Sequence, residues 1–358
     1  MPASRVWTSY FVVGFATTLL LAVLFYQQHQ QLAQPPVAKQ PQPQPVDTAA
    51  QCQSTIKSMP ASRPESMTTT QLAQLWSPAP LHLAADTALV AYGRTLIRRT
   101  PLYFGKNGSL RHSSQPTNAL SCQSCHLEAG TRPFGNNYSA VSATYPKFRA
   151  RSGKVEDIEY RINDCFRRSL AGEPPQPDSR EMQAIKAYIL HIGSQVDKGT
   201  TPVGAGIARL PYLHRSANPL RGSEVYRQHC QRCHAADGQG KLDSTGLMHE
   251  YPPLWGAESY STAAGMHRLS HLAGFVKYNM PYGTAAYAHP VLSDDEAWDV
   301  AAYINSQPRP ERHFPQDFPD ISKKPVDYPA APYADTFPQW QHKYGPFAPI
   351  EAAQCAKK

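Results

Sequence analysis

Two short segments of the chain have a spacing that suggests chemistry: CQSCH at residues 122–126 and CQRCH at residues 230–234. With seven Cys and fourteen His in 358 residues, chance would supply about 0.005 copies of C-x-x-C-H. The chain has two. In this pattern both thiols form thioethers to one haem, and the adjacent imidazole supplies a nitrogen to its iron. Cys122, Cys125, His126, Cys230, Cys233 and His234 are therefore expected to hold two covalently attached haem c groups. Two C-x-x-C pairs can also build a zinc ribbon, but the histidine after each pair would then be redundant.

The second axial position decides whether an iron only relays electrons or also meets a substrate. For the second centre the candidate is Met280, beside Pro281 in an irregular stretch before the last helix, with His271, Lys277 and Met266 as competitors. The first centre is unusual, because residues 127–181 contain no His and no Met. The soft ligand left there is Cys165. Such a cysteine is ordinarily a small core residue, but an iron lacking a partner reverses that expectation. Arg161, Cys165 and Ser169 follow at four-residue steps, which drift only about 80° around a helix and so share a face. That face would present a guanidinium fork, a sulfur and a hydroxyl to an oxyanion. The alternatives are an Arg161 ion pair with Asp157 or a haem propionate, and a helix-end hydrogen bond for Ser169.

The flanking elements are those of small helical domains. Apolar residues at helical spacing (LVAYGRTLI, 89–97) precede the first motif, and Met182, Ile185, Tyr188, Ile189 and Ile192 follow it. Around the second, Gly222, Val225 and Tyr226 lead in. Ser293 and Glu296 form a capping box that opens a closing helix over Ala297–Ile304. The fold class is all-α: two cytochrome c-like domains, 86–205 and 215–308, related as a divergent duplication.

Val6–Tyr26 is a 21-residue uncharged stretch, long enough for a membrane helix. No A-x-A cleavage site follows, so an uncleaved anchor is favoured over a signal peptide for residues 1–26. Residues 27–85 read as a Pro/Gln-rich linker, with ordered structure beginning near Asp86, and 309–358 as an irregular extension that wraps the domains. The remainder of the chain would be periplasmic, tied to the inner membrane. That setting suits haem attachment and permits disulfides; a bridge between Cys52 and Cys355 is open, since the spacing does not fix their distance. A net charge of +8 without a concentrated Lys/Arg stripe argues against nucleic acid as a partner.

The chain resembles the thiosulfate dehydrogenase family of dihaem cytochromes c, which joins two thiosulfates into tetrathionate. The likeness is carried by SCQSCHL (121–127) with AGTRP (129–133), YPKFRAR (145–151), RINDCFRRS (161–169) and Met280-Pro281. KPVDYP (324–329) and HKYGPF (342–347) extend it into the tail. The resemblance implies His126 and Cys165 on the first iron, and His234 and Met280 on the second. It also implies a substrate pocket bearing Arg151, Arg161 and Ser169, and a soluble cytochrome c or similar acceptor. Some relatives carry Lys directly before the Met and exchange the two ligands; Asn279 stands there in this chain. Competing readings are a non-enzymatic electron carrier, a dihaem peroxidase, and a cytochrome of the carrier-bound thiosulfate pathway. Tetrathionate reduction is the same chemistry run backwards.

Overall fold

The computed structural model describes residues 64, 67–110 and 116–356. Val6–Tyr26 and Cys52 lie outside the described residues, among which no helix is long and apolar enough to cross a membrane.

Each domain is built on one close helix crossing. Asp86 accepts a hydrogen bond from the Leu89 amide (2.8 Å) and opens α1, Thr87–Arg98. Asp157 does the same for Tyr160 (2.7 Å) at the start of α2, Ile158–Arg168. Ser179 caps α3, Arg180–Ile192. Gly93 on α1 lies so near α3 that an added Cβ would stand 2.0 Å from the Ala184 carbonyl oxygen and 2.9 Å from Tyr188 Cβ. In the second domain α4, Pro219–His229, begins with Asn218 as cap and proline in its first turn, where no amide donor is needed. After α5, Leu269–Asn279, comes α6, Asp294–Ser306, which has the expected capping box: Glu296 N donates to Ser293 Oγ (3.2 Å) and Ser293 N to Glu296 Oε2 (2.8 Å). Gly222 on α4 repeats the role of Gly93, with an added Cβ 1.9 Å from Asp299 O and 2.8 Å from Tyr303 Cβ. In both domains the glycine meets a backbone carbonyl and a tyrosine four residues later. The two domains thus share the geometry of their central crossing.

Two antiparallel pairs add little area: β1, Lys147–Arg149, with β2, Lys154–Glu156, and β3, Lys241–Leu242, with β4, His249–Tyr251. The core is continuous across both domains, from Leu96, Ile97, Met182 and Tyr188 to Trp298, Tyr278 and Ile304.

The packed chain begins before Asp86. Trp76 and Ala79 are buried, and their amides bond to Val203 O (3.1 Å) and Ile192 O (3.0 Å). Burying an indole and satisfying two backbone donors outweighs the local proline content that suggested a linker. The tail does wrap the domains, but it is not wholly irregular, since α7 covers Ala348–Ala356. Asp327, itself buried, accepts from Arg268 Nε (2.9 Å) and Ser270 N (3.1 Å) at the start of α5. Cys355 is disulfide-bonded.

Replacing Gly222 by Ala should force α4 and α6 apart and lower stability by ~1–3 kcal/mol, the usual cost of overpacking. Calorimetry of the holoprotein checks this; an unchanged Tm would mean that the crossing tolerates a methyl group.

Candidate active site and haem-binding motifs

The donor sets that follow helices α1 and α4 suit haem. His126 Nδ1 lies 2.5 Å from the Asn136 carbonyl oxygen, and His234 Nδ1 lies 2.8 Å from that of Pro252. A carbonyl can only accept, so each ring carries its proton on Nδ1 and leaves Nε2 with a lone pair for a metal. Burial pushes the His126 imidazole down to about 4 and lowers that of His234 as well, so both rings are neutral at physiological pH. The His126 ring is also stacked on Tyr138, with centroids 4.5 Å apart. Cys122, Cys125, Cys230 and Cys233 are in no disulfide, which leaves their sulfurs for thioether formation. Cys122 is further oriented by Thr100, whose Oγ1 accepts from its amide (3.0 Å) and donates to its sulfur (3.3 Å). The residues present therefore fit two covalent haem groups.

Helix α2 brings together the expected substrate-side groups. Cys165 is a free, half-buried thiol. The nearness of Cys165 is the largest influence raising the Arg161 guanidinium above its ordinary value. That nearness is also felt at Cys122 and Cys125. Cys165 thus lies within electrostatic reach of both Arg161 and the first haem-attachment motif. Ser169 caps the C-terminal end of α2: its amide bonds to Cys165 O (2.9 Å), and its carbonyl accepts from Asn118 Nδ2 (3.0 Å).

Arg151 joins this group through Asp164, a residue that spacing alone did not single out. Asp164, nearly buried, accepts from Arg151, from Arg161 Nη1 (2.9 Å) and from Arg168 Nε. Arg161 pairs with this carboxylate and not with Asp157, which is spent on the helix cap. Arg168 is held in turn by both oxygens of Asp317 in the tail (2.6 Å each), with Phe314 packed against its guanidinium at 4.0 Å. The adjacent Phe318 amide bonds to Arg151 O (2.7 Å). Three guanidiniums meet two carboxylates here, and the buried Glu156 also acts on Arg161. Asp164 was legible as i+3 from Arg161 and i−4 from Arg168. Asp317 was not, being 149 residues from its partner.

Met280 follows α5 in extended conformation and packs partly buried against the core. The competing side chains are engaged or enclosed. Lys277 Nζ donates to Leu292 O (2.6 Å) and pairs with Asp294 (3.1 Å), His271 Nε2 faces Arg268 Nη1 (3.1 Å), and Met266 is in the core.

Comparison with known proteins agrees with these features. Residues 109–196 match the SoxA/TsdA cytochrome c domain family, and residues 220–308 match cytochrome c. A thiosulfate dehydrogenase of Allochromatium vinosum is 39% identical over 197 residues, 54% of this chain and 71% of that protein. The chain belongs to the thiosulfate dehydrogenase family. A second member, from Stutzerimonas stutzeri, is 34% identical over 54% of this chain and 61% of its own length. A solved thiosulfate dehydrogenase (TsdBA) of Marichromatium purpuratum superposes with a TM-score of 0.62 at 28% identity, covering 74% of this chain and 55% of that one. Membership makes the protein an oxidoreductase with two haem-binding cytochrome c domains.

Asp164→Asn should cost about 1–3 kcal/mol, because it leaves the partly exposed Arg151 and Arg161 without their shared counter-charge while Arg168 keeps Asp317. Burial opposes ionisation of Asp164, but Arg151, Arg161 and Arg168 outweigh it and hold the carboxyl below its ordinary range. A depressed carboxyl contributes its stability above the unfolded value, about 3.9, and loses it as pH falls through the folded one. Tm measured against pH should therefore drop less steeply below pH 4 in the variant than in the unaltered protein.

Proposed function

We propose that the protein oxidises two thiosulfate ions to tetrathionate, and that Cys165 is the residue through which the sulfur–sulfur bond is made. The reading is supported by the carboxylate of Asp164, which gathers Arg151 and Arg161 beside Cys165 on α2, within electrostatic reach of the first C-x-x-C-H motif. His126 and Cys165 would ligate the first iron, and His234 and Met280 the second. Two covalently bound haems supply one-electron acceptors, one for each electron removed.

Two thiosulfates bring a total charge of −4 and leave as a product of charge −2, so the site must counter their repulsion. Arg151 and Arg161 offer guanidinium donors to the sulfonate oxygens, and Ser169 a hydroxyl. Cys165 thiolate bonds to the outer sulfur of the first thiosulfate as two electrons depart, which leaves an S-linked thiosulfonate on the cysteine. The outer sulfur of the second thiosulfate attacks the sulfur bonded to Cys165, and tetrathionate forms as Cys165 leaves as thiolate. The same steps reversed would reduce tetrathionate.

Electrons would pass from the second centre to a soluble cytochrome c or a comparable periplasmic acceptor. In this reading Val6–Tyr26 anchors the protein to the inner membrane. That agrees with c-type maturation outside the cytoplasm.

Cys165→Gly should keep both haems yet lose turnover by about three orders of magnitude or more, as removal of a covalent participant does. Anaerobic assay of tetrathionate with an artificial acceptor measures it; appreciable remaining turnover would reduce the protein to an electron carrier. Arg161→Ala should raise KM for thiosulfate about tenfold, the worth of one charge-assisted hydrogen bond, with haem content unchanged. Equal kinetics in variant and unaltered protein would remove Arg161 from the pocket.

A further inference from the structure

The loop that follows the first haem motif grips the segment that carries Met280. Arg132 donates from Nε to Asn279 Oδ1 (3.0 Å) and from Nη2 to Ala285 O (3.0 Å), while Nη1 pairs with Glu128 (3.0 Å). Its guanidinium also lies over the Tyr282 ring, 5.1 Å from the centroid. One side chain of the first domain therefore holds the second domain on both sides of Met280, at 279 before it and at 282 and 285 after it.

Asn279 completes the grip from the other direction. It is fully buried, and its Nδ2 donates to Phe134 O (3.1 Å) in the first domain and to Phe275 O (3.0 Å) in its own helix. With Oδ1 taken by Arg132, both amide donors and the acceptor are used, so the side chain has one orientation. The gripping loop is also the one that orients His126, since Asn136 O accepts from that ring and Phe134 lies two residues before it.

We propose that Arg132 and Asn279 form an interdomain clasp that positions the Met280 thioether. Both are positioning residues, acting through the backbone on either side of Met280. The proposal rests on Met280 being the ligand of the second iron. Met thioether is a neutral, weak ligand, so its bond depends on the protein holding the loop in place. A clasp made by the first domain means that docking of the two domains, and not the second domain alone, sets the strength of that ligation.

The test compares full-chain holoprotein in unaltered form with Arg132→Ala, Asn279→Ala and Met280→Ala. The readouts are the methionine–iron charge-transfer absorption of the ferric protein and its displacement by added imidazole. Loss of the clasp should make imidazole displace Met280 at about tenfold lower concentration, the worth of a hydrogen bond to a charged group. Equal imidazole affinity in Arg132→Ala, Asn279→Ala and the unaltered protein would overturn the clasp. Absorption that persists in Met280→Ala, or is missing from the unaltered protein, would instead overturn Met280 as ligand. Should the alanine variants fail to fold, Arg132→Lys keeps the charge but not the three-armed fork and takes the same titration: easier displacement supports the clasp, and unchanged displacement overturns it.

Discussion

Asp164 must balance Arg151, Arg161 and Arg168 from a nearly buried position, and the arrangement of the first domain follows from how it does so. One residue before Cys165, the carboxylate is turned about 100° around α2 from the sulfur it serves. It fixes the arginine that shares the cysteine's face, and it reaches out to a second arginine in the β1–β2 turn. Burying a charge is costly unless it is paired, so these side chains are held as a group. The guanidiniums are then held in place by the cluster and are not mobile surface arginines.

The same cluster explains why the proline-rich tail is ordered. Asp317 and Phe314 cover Arg168, and Phe318 is hydrogen-bonded to the backbone of Arg151. Further along, Asp327 takes the first turn of α5 in the other domain. The tail therefore contributes charges to both domains where their helices begin or end, giving Arg168 a second carboxylate beside Asp164 and Arg268 that of Asp327.

Between the domains, polar and directional contacts accompany the shared apolar core. Asn118 Nδ2 donates to Ser259 O (2.8 Å), and Ser261 Oγ donates to Arg168 O (2.6 Å). Together with the grip of Arg132 on the Met280 segment, they tie the end of α2 and the loop after His126 to the second domain. Electron transfer between two centres depends on a fixed separation, and such bonds hold one better than apolar contact, which has no preferred direction.

The local patterns carried most of the architecture. Helical spacing, the Ser293–Glu296 box and the two C-x-x-C-H motifs are interactions over a few residues, so their geometry follows from chain connectivity alone. The shared face of Arg161, Cys165 and Ser169 was legible for the same reason, because a helix fixes what lies four residues away. What the tertiary structure decided is which distant groups meet them: Asp317 on Arg168, Arg132 on Asn279, and the carbonyls of Asn136 and Pro252 on the two imidazoles. The early start of the packed chain at Trp76 belongs with these. Such contacts join segments whose separation along the chain sets no distance in space, and only the packed core brings them within hydrogen-bonding reach.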